Sequence, residues 1–560
     1  MLLLAVVLPR AASASSTPLL SVTLSPGAAD SQGNVPYVDV AISSEDIKAP
    51  AHAPLLRLAL VSSNVESAAN SLQALEARDG KGALRLTTRD DPEGGPEPFR
   101  HWIADRDVIG RLTVRYRVPI TNALNPRGAA PPFELRTEGG GFSGVGSIFL
   151  VLPETASPYR LALDWKLPPG ATGISSLGPG NVSLDAPGPV GRLDQAFFMA
   201  GTIHHYPDVL PAHGFMAAWQ GTPPFDAVSL MQWTGKLYGR YEHFFQTTDS
   251  PPYAVFLRRN LINAGGGVEV GRSFVGTFGD KMDVEDFKLT LAHEMVHTFV
   301  GSLDGDGELA NSWFSEGIAV YYERLLPWRF GSITADAFLS DLNKTAGRYY
   351  TDLLNDTPNA EIPAKFWADT RVRVLPYDRG SLYFARLDGE VRRASNGKRS
   401  LDDLILAMLA RRRHGGSMDQ AAWVDLVTHE LGEKGRSEFE AMLSGALVLP
   451  DSDALGACFR RTTAPLRRYE LGFDTKVLIE PTRIVRGLVA GSAAERAGVR
   501  NGDEIVKPVP QDAIQADQNA TLTLLVRREG KTLPFTYLPR GETLKAYQWE
   551  RTSASGCTPP

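Results

Sequence analysis

The feature that most constrains this chain is a pair of histidines four residues apart, followed by a glutamate on a separate stretch. The pair is His293 and His297, Glu294 lies between them, and Glu316 follows. Residues four apart lie above one another on one face of a helix, so both imidazoles can reach a single ion. A catalytic zinc takes three protein ligands and keeps one position open, so Glu316 from a second helix would complete the set. The pattern therefore predicts two neighbouring helices that hold one zinc ion per chain.

Chance is the alternative explanation for such a motif. Histidine is scarce, with 10 His in 560 residues, and a random match somewhere in the chain is expected at a level of roughly 0.01. A downstream glutamate adds little by itself, because Glu is common. Glu316, however, opens a second amphipathic stretch that has its own helix-start signal at Asn311 and Ser312. A metal site is therefore the favoured interpretation.

Three further elements around this motif give the chain a specific resemblance. Residues 313–317 read Trp-Phe-Ser-Glu-Gly, residues 265–269 read Gly-Gly-Gly-Val-Glu, and residues 376–380 read Pro-Tyr-Asp-Arg-Gly. Together with a PDZ-like segment near the C-terminus, this order resembles the glycyl aminopeptidase family of gluzincin zinc metallopeptidases. The resemblance extends over residues 100–540. It implies a thermolysin-like catalytic domain that acts on peptide substrates.

Glu294 is the acid of the motif that the zinc does not need as a ligand, so it is free to act as a base. We expect it to take a proton from a zinc-activated water and to pass that proton to the leaving amine. A phenolic hydroxyl can stabilise the negative oxygen of the tetrahedral intermediate, and the resemblance assigns that role to Tyr377. The alternatives are that Tyr377 is a buried aromatic anchor and that Tyr383 is the catalytic phenol.

A fixed anion near the zinc would distinguish an aminopeptidase from an endopeptidase, because it captures the free ammonium of the substrate. In the resembled family the glutamate of the glycine-containing strand does this, which implies Glu269. Gly266 and Gly267 would then let the peptide backbone approach closely. Val270 departs from the family pattern, in which His or Asn follows the glutamate. The alternative is that Glu269 is an edge-strand carboxylate after a loose glycine loop.

Ligating histidines usually donate their other ring nitrogen to a carboxylate or a carbonyl, which fixes the tautomer. Glu323 follows Glu316 by two helical turns on the same face, and the resembled family often has an acid there. It is therefore the expected partner of a zinc-binding histidine. The alternative is a solvated carboxylate on the helix surface.

The C-terminal part of the chain is expected to form a PDZ-like module. Residues 470–473 read Glu-Leu-Gly-Phe, and Gly-Ser-x-Ala and Gly-Asp-x-Ile elements follow at 491–494 and 502–505. Such a loop can capture a peptide C-terminus during strand addition, here through the backbone amides of Leu471, Gly472 and Phe473. The module could instead pack on the catalytic domain.

Length and patterning indicate a multidomain α+β protein, because 560 residues exceed what one core normally organises. Alternating strands such as 111–118 and 159–165 predict an N-terminal β-sandwich, and residues 168–189 are predicted to form a Gly- and Pro-rich loop. The predicted parts are a signal peptide (1–16), an N-terminal β domain (17–195), a thermolysin-like catalytic domain (196–335), a helical domain (336–457), a PDZ-like domain (458–545) and a tail (546–560).

The ends and the charge of the chain bear on its location. Residues 1–8 are an apolar run that leads into small residues at 11–14, as in a signal-peptidase site, so we expect a secreted or periplasmic protein. A disordered terminus is the alternative. In an exported protein Cys458 and Cys557 would form a disulfide. A net charge of -6 without a basic tract argues against nucleic-acid binding, and no later apolar run has the length of a membrane span.

Three functions remain open from the sequence. The first is a zinc aminopeptidase, whose preference for N-terminal Gly or Ala comes from the resemblance. The second is a zinc endopeptidase in which Glu269 is structural and the PDZ-like module selects substrates by their C-termini. The third is a non-catalytic peptide-binding protein with a structural zinc. Glu294 argues against the third, because a structural zinc does not need a base.

Overall fold

The computed structural model describes residues 17–92, 97–122, 131–247, 252–260, 264–305, 307, 309–480, 482–507, 509, 511–552 and 558–560. The chain forms two compact units. Of the described residues, the first contains 17–62, 66–92, 97–122 and 134–202, and the second contains 63–65, 131–133 and those from 203 onward. The predicted signal peptide and Cys557 lie outside the described residues. The predicted domain limits within the second unit remain predictions.

The first unit is built from short strands. Their bounds are β1 Leu19–Pro26, β2 Tyr37–Ala49, β3 Pro54–Ala59, β4 Val61–Ser62, β5 Val65–Glu66, β6 Gln73–Asp79, β7 Gly82–Leu84, β8 Leu86–Asp90, β9 Phe99–Ala104, β10 Val108–Pro119, β11 Arg136–Glu138, β12 Gly141–Val145, β13 Leu152–Pro153, β14 Tyr159–Trp165, β15 Thr172–Ser175, β16 Gly178–Pro179, β17 Val182–Gly188 and β18 Phe197–Gly201. Helices α1 (Gly146–Phe149) and α2 (Gly191–Asp194) are single turns, and Ala68–Asn70 is a 3-10 turn.

Three sheets of this unit share one hydrophobic core. Their strand orders are β17-β14-β1-β2-β10-β6-β7, β11-β12-β18-β15-β16 and β13-β3-β9-β8. Val22 of the first sheet, Phe198 of the second and Trp102 of the third all belong to that core. Burial alternates along β14, as expected for a strand with one buried face. The N-terminal region is therefore rich in sheet, as the alternating sequence pattern predicts.

The predicted loop at residues 168–189 is partly wrong, because it contains β15, β16 and β17. Strand β17 pairs with β14, and Leu184 lies opposite Leu161 in the register. It is an edge strand, and Pro187 is tolerated there because one side of an edge strand carries no ladder hydrogen bonds. The Gly- and Pro-rich composition of this stretch thus predicts a loop where the structure has short strands.

The second unit begins with a mixed sheet and the helices packed on it. The strands are β19 His204–Tyr206, β20 Phe215–Trp219, β21 Tyr253–Arg259, β22 Gly267–Glu269 and β23 Ser273–Phe278. Their order is β19-β20-β21-β23-β22, in which β20, β21 and β23 run parallel and the two edge strands run antiparallel to their neighbours. The glycine-containing strand β22 is therefore at one edge of this sheet.

Helices make up most of the remainder of this unit. They are α3 Ala227–Phe244, α4 Val284–Val300, α5 Ser312–Arg329, α6 Ala335–Thr351, α7 Ile362–Lys365, α8 Thr370–Arg373, α9 Leu375–Ala394, α10 Leu401–Arg413, α11 Gln420–Leu431 and α12 Glu433–Leu443, with a 3-10 turn at Asn359–Glu361. Helices α3, α4, α5, α6, α9 and α10 contribute to one large core. Within the described residues, no helix combines the length and the apolar character needed to cross a membrane.

The C-terminal segment of the second unit has a small core of its own. Its elements are β24 Phe459–Tyr469, a 3-10 helix Thr475–Ile479, α13 Ala493–Arg496, β25 Glu504–Ile505, α14 Gln511–Ala516, β26 Leu522–Arg528, β27 Lys531–Tyr537 and β28 Arg540–Arg551. Strands β24 and β28 form one antiparallel pair, and β25, β26 and β27 form a three-stranded sheet. Cys458, just before β24, is disulfide-bonded.

Candidate active site

Helix α4 carries the two histidines, and local signals fix both of its ends. The Asp283 carboxylate caps the N-terminus by accepting the Glu285 backbone N–H at 2.8 Å. At the C-terminus Gly301 takes a φ of 66° and its N–H donates to the His297 carbonyl, a conformation that favours glycine. One face of the helix is buried in the core, including Leu291 and Met295. His293 and His297 are therefore held on a helix that is capped at both ends and packed in the core.

Helix α5 brings Glu316 to the same point. It begins at Ser312, where the sequence predicts its start. The Glu316 Oε2 lies 3.3 Å from His293 Nε2 and 3.2 Å from His297 Nε2, and the two Nε2 atoms are 3.1 Å apart. Three donor atoms from two helices thus form a nearly equilateral triangle. Among the described residues this is the group of histidine, cysteine and acidic side chains that could hold a metal ion.

The triangle has the dimensions of a zinc site. Zinc holds nitrogen and oxygen ligands at about 2.0–2.2 Å, which places tetrahedral ligands about 3.3 Å from one another. The observed separations of 3.1–3.3 Å match that spacing without movement of either helix. Two imidazoles and one carboxylate are also the donor set of many catalytic zinc sites, which leave a fourth position open. The residues present therefore fit one zinc ion.

Glu323 fixes the orientation of His293. Its Oε2 lies 2.7 Å from His293 Nδ1, and both residues are only 8% exposed. A carboxylate at this distance accepts a hydrogen bond from the Nδ1–H, so Nε2 is left as the atom that faces the ion. The structure thus brings Glu323 into the place expected for the partner of a zinc-binding histidine.

The charges of the site favour a cation. Burial by itself would lower the pKa of His293, but hydrogen bonds with Glu316 and Glu323 raise it well above its usual range. Burial would likewise lower the pKa of His297, and the Glu316 charge raises it. Burial alone would raise the pKa of Glu316, but the nearby His297 and His293 lower it below its ordinary value. Protons are therefore drawn onto the imidazoles, and a bound cation would take their place.

Glu294 stands beside this group and is not one of its members. Burial raises the pKa of Glu294 above its ordinary value, while the charges of His293 and His297 act in the opposite direction. A carboxylate with a raised pKa is a better proton acceptor near neutral pH. Glu294 is thus a buried carboxylate with a raised pKa next to the candidate metal group.

Tyr377 reaches the site from the first turn of α9. Its ring lies 6.0 Å from the His293 ring, centroid to centroid, with 15° between the planes. The side chain is partly exposed, unlike its neighbours Pro376 and Asp378, which are buried. The phenol therefore has both proximity to the metal group and access to a ligand.

A contact between two glycines explains how α9 comes so close. A Cβ on Gly317 would lie 2.7 Å from the Gly380 backbone, and a Cβ on Gly380 would lie 2.4 Å from the Trp313 carbonyl. The backbones of α5 and α9 are therefore in direct contact where the two helices cross. This contact lies next to Glu316 and one turn after Tyr377. The sequence gives no signal for this close crossing, although both glycines belong to the motifs that carry the resemblance.

Tyr383, the competing phenol, lies in a different environment. It is 4% exposed, its hydroxyl accepts a hydrogen bond from Trp423 Nε1 at 3.3 Å, and it packs on Trp313 and Phe439. A side chain that is buried in this way is not accessible to a substrate. The geometry favours Tyr377 for chemistry and gives Tyr383 a packing role.

Comparisons with known proteins bear on the fold. No protein-family model and no curated protein matches the sequence. A solved aminopeptidase N family protein from Idiomarina loihiensis is similar over 95% of this chain and 98% of its own, with 15% identity and a TM-score of 0.67. An M1 zinc metallopeptidase from Deinococcus radiodurans matches 77% of this chain and 94% of its own, with 15% identity and a TM-score of 0.46.

The first of these similarities shows a shared fold. This chain has the fold of an aminopeptidase N family protein along almost its whole length, with a sheet-rich N-terminal part and a helical part after the catalytic segment. At 15% identity this similarity shows the fold alone. The neighbour from Idiomarina loihiensis is named as an aminopeptidase N family protein, so the expected glycyl aminopeptidase type stays a prediction.

Glu269 and Gly267 lie on the edge strand β22, and Gly266 directly precedes it. The charges of Glu294 and Glu269 both raise the pKa of Tyr253, after the larger effect of burial, so the two carboxylates lie near one phenol. At Gly267 a Cβ would lie 2.1 Å from the Phe274 ring, so the neighbouring strand requires glycine there. The Gly266 carbonyl accepts the Thr277 backbone N–H. Glu269 is therefore placed at a sheet edge, and its charge acts on the same phenol as the charge of Glu294.

The expected carboxylate-binding loop takes a different form from that of an open peptide groove. Leu471 and Phe473 are buried, and Gly472 has a φ of 89° with its carbonyl accepting the Val489 N–H. The segment after Phe473, which a peptide would join by strand addition, is the 3-10 helix Thr475–Ile479. A 3-10 helix offers no free strand edge for such an addition.

Proposed function

We propose that the protein is a zinc-dependent aminopeptidase that removes N-terminal residues from peptides. One observation carries the proposal: the donor atoms of His293, His297 and Glu316 lie 3.1–3.3 Å apart, and Glu294 stands free beside them. A zinc that only supports folding needs no free carboxylate at its side, whereas a hydrolase needs a base there. The cofactor would be one zinc ion per chain.

The roles of the side chains follow from their positions. When bound, zinc polarises the scissile carbonyl and lowers the pKa of a coordinated water towards neutrality. Glu294 would accept a proton from the attacking water and pass it to the leaving amine, a task that its raised pKa suits. Tyr377, stacked near His293, would donate a hydrogen bond to the oxygen that becomes negative.

Glu269 is proposed to bind the free ammonium group of the substrate. It lies on an edge strand, and its charge acts on the same phenol as that of Glu294. An anion at that place would fix the first residue of a peptide next to the base and would exclude peptides with blocked N-termini. A preference for N-terminal Gly or Ala follows from the resemblance to glycyl aminopeptidases.

The C-terminal module is proposed to support the helical region rather than to select substrates. The Asn343 side chain of α6 exchanges two hydrogen bonds of 2.8 Å with the Trp549 backbone. The Thr475 hydroxyl donates to Asp369, and the Thr370 hydroxyl donates to Gln515, each at 3.3 Å. These contacts support a packing role, and so they make a C-terminus-guided endopeptidase the weaker alternative.

We also propose that the protein is exported, to the periplasm or the medium. The disulfide at Cys458 supports this location, because disulfides persist in oxidising compartments and are rare in the cytosol. The apolar N-terminal run points the same way. Deletion of residues 1–16 is expected to remove the protein from the periplasmic and culture fractions, in which the wild type is expected, and unchanged export of the deletion variant would contradict this location.

The test is hydrolysis of glycyl and alanyl p-nitroanilides beside an N-acetylated peptide, with the wild type and with Glu269→Gln. Glu285→Gln is the matched control, since Glu285 is an exposed acid in the first turn of α4. We expect cleavage of the free-amine substrates alone, a large rise in KM for Glu269→Gln and wild-type behaviour for the control. Cleavage of the blocked peptide at a comparable rate would instead support the endopeptidase.

A further inference from the structure

A polar face of helix α6 connects the two halves of the candidate active site. Asp341, Thr345 and Arg348 follow one another at spacings of four and three residues, so they lie on one side of the helix. That side meets α5, which carries Glu316 and Glu323, and α9, which carries Tyr377. The contacts on the two sides are of different kinds.

On the α5 side, the partner of this face is Arg324. Its guanidinium is 3% exposed, its Nε lies 3.0 Å from Asp341 Oδ2, and its second nitrogen donates to the Thr345 hydroxyl at 3.1 Å. Arg324 also lies 3.8 Å from Glu323, whose other oxygen binds His293. The α6 face therefore supports the residue next to the partner of a metal-binding histidine.

On the α9 side, the partner is Asp378, which directly follows Tyr377. The Asp378 carboxylate is fully buried and accepts two hydrogen bonds from Arg348, at 2.7 Å from Nε and at 2.6 Å from the second nitrogen. A bidentate pair of this kind fixes the relative orientation of two side chains as well as their distance. The first turn of α9, on which Tyr377 lies, is thereby tied to α6.

We infer that Arg348 is a positioning residue for Tyr377, acting through the Asp378 carboxylate. The inference rests on the proposed function, in which Tyr377 binds the reacting oxygen. Arg348 sets the direction of the first turn of α9, and α6 at the same time holds α5 through Arg324. Helix α6 thus contacts both α9, which carries Tyr377, and α5, whose Glu323 binds His293. These two contacts fix the distance between the Tyr377 and His293 rings.

A second ion pair, within α9 itself, provides a matched control. Asp388 of α9 is 1% exposed and pairs with Arg392 at 2.8 Å, and the Arg392 side chain is 24% exposed, close to the 17% of Arg348. Both pairs join an arginine to a buried aspartate of α9. The Arg348 pair lies beside Tyr377, and the Arg392 pair does not. Arg392→Gln therefore measures how much kcat changes when an ion pair of α9 is lost without an effect on Tyr377.

The experiment measures kcat and KM for alanyl p-nitroanilide with Arg348→Gln, Arg348→Lys and Arg392→Gln, and with Arg348→Gln in a Tyr377→Phe background. Arg348→Gln is expected to lower kcat about tenfold with little change in KM, because a displaced donor weakens only the transition state. Arg348→Lys should restore part of kcat, and Arg392→Gln should keep the wild-type value. In the Tyr377→Phe background the Arg348 substitution should have no further effect.

Two outcomes would overturn the inference: an equal loss of kcat in the Tyr377→Phe background, or an equal loss from Arg392→Gln. If Arg348→Gln does not fold, the double variant Arg348→Gln with Asp378→Asn removes the unpaired charge and is measured in its place. Crystal structures of the wild type and the variant give a readout without turnover. The Tyr377 ring should move relative to His293 in the variant, and an unmoved ring would contradict the inference even if the wild type hydrolyses no substrate.

Discussion

The zinc-site helices and the C-terminal module both carry a short motif, yet the two motifs have different structural outcomes. In the first, His293, His297 and Glu316 converge to separations of 3.1–3.3 Å. In the second, Leu471 and Phe473 are buried and a 3-10 helix follows them. A spacing that equals the helical period fixes the geometry by itself, whereas a loop motif depends on the segment that comes after it.

The largest effect is expected from loss of a ligand on the zinc-site side of this comparison. Glu316→Ala removes one of three donors, so zinc affinity and hydrolysis should both fall by about 10³-fold or more. Zinc content by atomic absorption and the rate with alanyl p-nitroanilide measure the two effects. Glu433→Ala, which alters an exposed glutamate of α12, is the control and should resemble the wild type. Full activity of the Glu316→Ala variant without bound zinc would contradict the proposal that Glu316 holds a zinc ion needed for hydrolysis.

A loss of about 10²–10³-fold in kcat is expected for Tyr377→Phe, because removal of one donor to a negative oxygen costs that much in other hydrolases. KM and zinc content should hardly change. Tyr383→Phe is the natural companion, since it removes the hydroxyl that accepts from Trp423 and should cost about 1 kcal/mol of stability with kcat preserved. If Tyr383→Phe proved the more damaging to kcat, the assignment of the phenol would be reversed.

A smaller effect of about 10²-fold in kcat is expected for Gly380→Ala, because a shift of about 1 Å in a catalytic group has this cost. The added methyl would meet the Trp313 carbonyl, so α9 must move away from α5 and take Tyr377 with it. Gly239→Ala in α3 is the control, since a Cβ there meets nothing within 4 Å. That variant should be as active as the wild type and slightly more stable. Equal activities of the two variants would show that the glycine contact does not position Tyr377.

The smallest effect is expected on the side of the C-terminal module. Peptides that end in a free carboxylate and the same peptides with a C-terminal amide should differ in kcat/KM by less than about twofold, because no strand edge follows Phe473. The comparison uses a matched pair of alanyl tetrapeptides. A difference of about tenfold or more would mean that the module reads substrate C-termini after all.

Local signals account for the parts of the fold that the sequence predicted well. Strand β14 has the predicted bounds because its apolar residues alternate, and α5 begins at the predicted start signal. The convergence of His293, His297 and Glu316 was predictable because one helical turn separates the two histidines, whereas the role of Glu294 as a base stays a prediction. Glu323 was predictable because it lies two turns after Glu316 on the same face.

Long-range contacts account for what the sequence analysis missed. The crossing at Gly317 and Gly380, and the pair formed by Arg348 and Asp378, join residues far apart in the chain. Neither contact leaves a periodic pattern. The strand β17 was missed for a similar reason, since it exists through its pairing with β14 rather than through its own composition.

The most direct test of the central claim is a measurement of zinc content and hydrolysis on the same preparations of wild type and Glu294→Gln. We expect one zinc per chain in both proteins, with hydrolysis of alanyl p-nitroanilide lowered by about 10²–10⁴-fold in the variant, because Glu294 is proposed to serve as base and not as ligand. A variant that hydrolyses the substrate at the wild-type rate, or one that has lost its zinc, would contradict that claim.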